Sequence, residues 1–291
     1  MRMWPDCVPC ILGMTVNLAR DVGLDEAALQ DVMRGVLSMD FVRERASELQ
    51  APPVVAEIWA RLVAVAGEPD PLRPQKDSQN EAALRLFPVA EAYVRNNLDP
   101  LAAALKLSIA GNVLDTMVGP LGVPDDGFME ETARRSLDPG ALEELRGRLR
   151  EARTIAYLTD NCGEIVFDRL LIETIQAGRH VGITVVVRGA PVINDATLED
   201  AVATVLSDAA RVVGNGMPDP LPSTMLSRVS PDVRLAIEGA DLVISKGGAN
   251  FELLEEEAGL AGKVTFLMHA KCHPFCTIHR TPPGGLIICN R

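Results

Sequence analysis

From residue 154 to the end of the chain, short runs rich in β-branched residues alternate with helix-compatible stretches. That alternation restricts the fold more than any other feature. The runs fall at residues 154–158, 181–187, 211–213, 242–245, 264–268 and 286–289, with helix-compatible stretches such as 165–177, 198–209 and 225–238 between them. A period of roughly 25–30 residues implies βαβ units, hence a mainly parallel sheet covered by helices on both faces. The last two runs have shorter connections, which leaves them room to pair differently.

Before about residue 150 the pattern is helical. Ile11, Leu12, Met14, Leu18 and Val22 recur at near-helical spacing, and Gly23 and Asp25 punctuate before a second amphipathic stretch at 27–37. Pro52 and Pro53 stand in the first turn of a segment carrying Ile58, Trp59 and Leu62, where proline is tolerated. A polar, proline-rich break at 69–74 separates this part from helical stretches at 81–94 and 100–118. The expected organisation is an all-helical N-terminal domain over residues 1–105. It leads into a doubly wound α/β domain over 106–291.

A net charge of −12 and an aromatic share of 4% exclude nucleic acid as the expected partner. Phosphate backbones are held by clustered Lys and Arg, and single strands by stacking platforms. A small phosphorylated ligand needs only a local positive island, which a bound cation can supply. The segment Met1-Arg2-Met3-Trp4-Pro5-Asp6 lacks the features of a secretory signal, and no apolar run reaches the ~18 residues of a membrane span. A cytoplasmic protein with no membrane partner is expected. Six cysteines then read as thiols or metal ligands rather than a disulfide framework.

Ligands of an open parallel sheet bind outside the carboxyl ends of its strands, so the residues after each run carry the functional information. They are Thr159-Asp160-Asn161-Cys162-Gly163-Glu164, Arg188-Gly189 through Asn194-Asp195, Lys246-Gly247-Gly248-Ala249-Asn250 and His269-Ala270-Lys271-Cys272. Asp160, Asn161 and Asp195 are hard oxygen donors suited to Mg²⁺ or Mn²⁺. Either acid could instead cap a helix, but one helix start has little use for two adjacent caps. Thr197-Leu198-Glu199-Asp200 resembles a capping box, so Asp200 reads as structural. The Lys246–Asn250 turn can bring backbone N–H groups and one ammonium to a phosphate. Glycine pairs also serve purely conformational ends.

Cys7-Val8-Pro9-Cys10 has zinc-like or redox spacing, and Cys272 with Cys276 could complete a four-thiolate set, although that second pair is spaced Cys-x3-Cys. In the helical half, Asn112 and Asp115 share a helix face and interrupt an apolar stretch, as a buried polar pair or as an ordinary polar face.

Together these segments resemble the DUF89 family, the ARMT1-like damage-control phosphatases, and within it the cysteine-containing prokaryotic branch. The matching features are Cys7-Val8-Pro9-Cys10, Asp70-Pro71-Leu72 with Lys76 and Asn80-Glu81, and Gly111-Asn112-Val113-Leu114-Asp115. They continue with Asp160 to Glu164, Asn194-Asp195-Ala196-Thr197, Lys246 to Glu252, and Lys271-Cys272. The resemblance implies a helical region joined to a Rossmann-like, three-layer α/β/α domain and a metal-dependent phosphatase activity. It implies that Asp160, Asn161 and Asp195 hold a divalent ion, Mn²⁺ or Mg²⁺ with Co²⁺ and Ni²⁺ as alternatives. It further implies that Lys246, Gly247, Gly248, Asn250 and Lys271 face the substrate, with Asn112, Asp115 and Glu164 beside them. Cys162 stands where many relatives carry Ala. The arginine-bearing motif of eukaryotic relatives is replaced by Leu267-Met268-His269-Ala270, so their sugar-phosphate preference does not carry over.

The expected activity is hydrolysis of a small phosphorylated metabolite: a sugar phosphate, a nucleotide or a phosphorylated cofactor fragment. Asp160 and a cation-activated water are the two candidate nucleophiles. An S-adenosylmethionine-dependent methyltransferase is a rival, since Rossmann-like folds host both chemistries, but the first strand end carries acids rather than a glycine-rich loop. A non-enzymatic thiolate-metal or redox module built on Cys7, Cys10, Cys272 and Cys276 is the other.

Overall fold

The computed structural model of the protein describes residues 1–43, 46–112, 127–177 and 179–291. Helices α1 (Cys7–Asp21), α2 (Glu26–Val36), α3 (Asp40–Arg43) and α4 (Ala51–Ala66) come first. Then follow α5 (Arg73–Arg95), α6 (Pro100–Gly111), α7 (Gly127–Arg134) and α8 (Pro139–Glu151). Local chemistry sets several starts. The side chains of Asp25, Asp99 and Asp138 accept the N–H groups of Ala28, Ala102 and Ala141, and Pro100 and Pro139 follow two of these caps. The expected helix at 100–118 is observed to Gly111, and residues 113–118 lie outside the described residues.

The sheet contains β1 (Thr154–Leu158), β2 (Gly182–Val187), β3 (Arg211–Gly214), β4 (Leu242–Lys246), β5 (Val264–His269) and β6 (Leu286–Asn290). Its spatial order is β3-β2-β1-β4-β5-β6. All neighbours are parallel except the final pair, where β6 runs antiparallel to β5. The connections before β5 (residues 247–263) and β6 (residues 270–285) each carry one short α-helix and are of nearly equal length, yet only β6 pairs antiparallel, so length does not set the direction.

Interleaved with the strands are α9 (Glu164–Gln176), α10 (Leu198–Ala203), α11 (Leu206–Ala209), α12 (Pro231–Glu238), α13 (Gly248–Leu254) and α14 (His273–His279). Two sequence expectations are corrected here. The stretch 198–209 is two short helices, separated where Val205 adopts a left-handed φ of 59°. The stretch 225–238 becomes helical only from Pro231, because proline lacks an N–H and occupies the first turn. Among the described residues, no helix is long and apolar enough to cross a membrane.

Three apolar clusters organise the packing. One face of the sheet buries Ile155, Tyr157, Leu242 and Ile244 against α5, α6, α8 and α9. The other buries Ala156, Leu158 and Val243 against α12, α13 and α14. Alternation along β1 and β4 sends successive side chains to opposite faces. The result is a three-layer α/β/α arrangement preceded by helices. The boundary expected at 105/106 falls within α6, and Ala83, Ala90 and Leu105 share a core with the sheet. A third cluster, around Ile58, Trp59 and Leu62, joins α1, α2 and α4 and takes in Val192 and Ile193 from the loop after β2.

The chain steps outward from β1 to β3 on one side, then returns to β4 on the other side of β1. The crevice beyond the carboxyl ends of β1 and β4 is the switch point at which such sheets bind ligands.

Candidate active site

The loop after β1 is laced to the loop after β2 by main-chain hydrogen bonds. Ala196 N donates to Asp160 O at 2.8 Å, and Cys162 N donates to Asn194 O at 2.8 Å. Asn161 and Asp195 form an isolated antiparallel bridge. These bonds bring Asp160, Asn161 and Asp195 into one corner, although 33 residues separate Cys162 from Asp195. Three oxygen-bearing side chains chosen at two strand ends therefore converge.

Each is held by its neighbours. Asp160 Oδ2 accepts from Asn112 Nδ2 at 2.8 Å and from Asn161 Nδ2 at 3.1 Å, while Oδ1 faces Arg188 Nη2 at 3.4 Å. Arg188 Nε donates to Asp195 Oδ2, so one guanidinium spans both carboxylates. Asn112 also donates to Glu164 Oε2 at 3.0 Å from the end of α6. Asp115 lies outside the described residues.

The corner opens into a cavity of about 230 Å³. Asn112, Asp160, Asn161, Asp195, His269 and Lys271 line its polar side, and Ala51, Pro52, Val55, Ile193 and Phe275 line the apolar one. Gly248 and Ala249 border the same space. The His269 imidazole is pushed down to about 4, first by burial and then by the nearby Lys271 and Arg135 cations, so it is neutral at physiological pH.

Lys246, Glu164 and Asn250 were expected beside the substrate, but the structure places all three behind the cavity wall. Lys246 is fully buried and donates to Ser108 O at 2.8 Å, Glu164 Oε1 at 2.5 Å and Asp168 Oδ1 at 2.7 Å. The reason is strand alternation: Lys246 shares the face of Leu242 and Ile244, which turns its side chain under α6 and α9. Burial pushes the ammonium down, but Asp168 and Glu164 more than offset this and hold it above the ordinary lysine value. Burial raises the Asp168 carboxyl to about 6. Glu164 accepts from Lys246 on one side and from Asn112 and the Asn161 N–H on the other. Lys246 therefore touches the corner only through Glu164.

Asn250 is a clamp. Its amide donates to Lys246 O at 2.8 Å and Thr159 O at 3.1 Å, and its carbonyl accepts from Thr224 N at 2.7 Å. Gly247, between these groups, has φ 79° and lies directly against the Asp160 carboxylate.

Asp200 closes a capping box with Thr197, as expected, and additionally binds Arg73 and Asn80 of α5. Asn80 in turn accepts from the Gly163 N–H at 2.7 Å. A buried polar network thus ties the helical region to both loops. Arg188 is the site residue that sequence reasoning passed over. Its signal was available in part, as a lone cation at a strand end facing a set of acids.

None of the six cysteines is paired in a disulfide, and Cys10 and Cys272 line the cavity. Burial raises the Cys272 thiol to about 11 and also raises Cys7. Among the described residues, no group of three or more His, Cys, Asp or Glu is arranged to hold a metal ion. The Asp160–Asn161–Asp195 set is of another kind, two carboxylates and an amide. Arg188 spans the two carboxylates, Asn161 sits beside Asp160, and all three residues line the cavity, a hard-oxygen donor set of the class that Mg²⁺ or Mn²⁺ takes.

The profile described as the damage-control phosphatase ARMT1-like domain matches residues 3–286. A damage-control phosphatase from Archaeoglobus fulgidus is 32% identical over 94% of both chains. A second, from Pyrococcus horikoshii, is 27% identical over 100% of this chain and 98% of that one. The crystal structure of a DUF89 family protein from Pyrococcus horikoshii superposes with a TM-score of 0.86 at 27% identity. It covers 100% of this chain and 99% of that chain.

Proposed function

This chain belongs to the damage-control phosphatase ARMT1-like domain family, and from that premise we propose that it is a divalent-metal-dependent phosphomonoesterase acting on a small phosphorylated metabolite. The observation that carries the reading is the convergence of Asp160, Asn161 and Asp195 at the switch point of the sheet, in a cavity that Lys271 also lines.

Asp160, Asn161 and Asp195 would hold the ion, with Mn²⁺ or Mg²⁺ favoured by their oxygen chemistry and Co²⁺ or Ni²⁺ as alternatives. A divalent ion bound there supplies Lewis-acid polarisation of a phosphoryl oxygen. Lys271 contributes a positive charge for the phosphate, and the backbone around Gly248 and Ala249 lets the ligand approach closely. Hydrogen-bond donors engage both oxygens of Asp160, which lowers their nucleophilicity and favours water over Asp160 as the attacking group. The modest cavity suits a sugar phosphate, a nucleotide or a cofactor fragment rather than a macromolecule.

The test is a screen of phosphorylated metabolites with Mn²⁺, Co²⁺, Ni²⁺ and Mg²⁺, run on wild type, D160A and D195A. Metal-dependent phosphate release is expected in wild type and absent in both folded variants. Undiminished turnover in D160A would refute the assignment.

A further inference from the structure

Arg188 is a buried cation in contact with both acids of the proposed ion site, and beyond its hydrogen bond to Asp160 Oδ1 the proposed reaction gives it no role. It follows β2 directly and is only 2% exposed. Its Nε meets Asp195 Oδ2 and its Nη2 meets Asp160 Oδ1. On the far side, Nη1 donates to Thr224 Oγ1 at 3.3 Å and Asn250 Oδ1 at 3.5 Å. Its own N–H is fixed by Ala196 O at 2.9 Å.

Two carboxylates brought this close repel each other, and without an opposing charge the loops that carry them would tend to part. One planar guanidinium that reaches both acids sets their separation as well as offsetting their charge. The anchor behind it is rigid, because Asn250 is itself bonded to Thr159 O, Lys246 O and Thr224 N. The Asp195 loop is also pinned from its other end: Val192 and Ile193 are buried in the helical cluster, and Ile193 holds a left-handed φ of 46°. A β-branched residue adopts that conformation only where its surroundings impose it. Two acids and one guanidinium sum to a charge of −1, so the corner still attracts a cation.

Resting on the phosphatase reading above, we propose that Arg188 is the positioning residue of the ion site, presetting the spacing of Asp160 and Asp195 so that a divalent ion meets a preformed pair. It acts through the acids and does not touch the substrate.

Calorimetric titration with Mn²⁺ alone tests this on wild type, R188K, R188Q and D160A, with thermal unfolding of each. Neither Lys nor Gln spans both acids, so both Arg188 variants should bind Mn²⁺ at least about tenfold more weakly than wild type, with Lys losing less than Gln. Saturating Mn²⁺ should recover most of their turnover, because the loss lies in metal affinity rather than in kcat. Folded R188K and R188Q that bind Mn²⁺ as tightly as wild type would overturn the proposal. If both fail to fold, T224V removes one anchor of the guanidinium without touching either acid. It should then weaken Mn²⁺ binding by a few-fold, and unchanged affinity would overturn the proposal. Wild type that binds Mn²⁺ no better than D160A would instead show that the underlying ion site is wrong.

Discussion

Gly247 lies so close to Asp160 that a Cβ built on it would sit 1.9 Å from Oδ2 and 2.3 Å from Cγ. Its φ of 79° adds a second constraint, since an L-residue there is strained by about 1–2 kcal/mol. The glycine therefore serves the carboxylate as much as the turn. G247A should displace Asp160, lower Mn²⁺ affinity and reduce kcat/KM at least about tenfold. The steric part should disappear in a D160G background. A double-mutant cycle on unfolding free energy should accordingly give a coupling of about 1–3 kcal/mol. Additive effects would mean that the two residues do not meet in solution.

The two strand-end lysines should behave oppositely. K246M leaves Glu164 and Asp168 buried without their cation and should cost about 3–5 kcal/mol of stability in urea unfolding. Lys271 lines the cavity, and K271A should cost clearly less stability than K246M. Steady-state kinetics of K271A should show kcat/KM reduced about 10²–10³-fold, the range for removing a charge-stabilising donor. A destabilised K271A with normal kinetics would exchange the two assignments.

This contrast marks where the sequence was legible. The convergence of Asp160, Asn161 and Asp195 was legible because loops at strand ends point to one rim whatever the order of the strands. Lys246 is the last residue of β4, and its direction depends on the face its neighbours bury, which follows only once α6 and α9 are placed. Arg188 was missed because its partners lie 7 and 28 residues away, and nothing local shows which acids share a cation. Strand positions were readable from β-branched runs. The order β3-β2-β1-β4-β5-β6, set by non-local pairing, was not. Pro231 carried a readable start signal within the stretch 225–238, since proline is favoured in the first turn of a helix.

Asp200 should shape the acid limb of the stability profile. Burial raises its pKa, but the Arg73 hydrogen bond, Lys76 and the Thr197 donors outweigh this, taking the carboxyl from 3.8 to about 2. A folded-state pKa below the unfolded one means stability that is fully present above about pH 4 and lost as pH falls through about 2. The contribution is about 2 kcal/mol. In unfolding measurements between pH 5 and 2, D200N should lack this share of the wild-type decline and start from lower stability at pH 5. A wild-type acid limb in D200N would remove Asp200 from the account.

Glu252 should act at higher pH than Asp200, in the window that ends at neutrality. Burial raises its carboxyl from 4.5 to about 7, and the N-terminal ammonium and the hydrogen bond from the Ala51 N–H only partly counter this. Folding therefore favours the protonated form. Its contribution is complete below about pH 4.5, declines as pH rises, and is gone above about 7, for a difference of about 3 kcal/mol. Glu252 also lines the cavity, so its ionisation places a negative charge in the space where the phosphate would bind. E252Q should remove the decline in unfolding free energy between pH 5 and 8. It should also flatten the fall of kcat/KM above pH 7 that the ionised acid imposes on a phosphorylated substrate. Because the amide cannot titrate, both profiles must change together. A variant that flattened neither would place the Glu252 carboxyl in contact with water at its ordinary pKa.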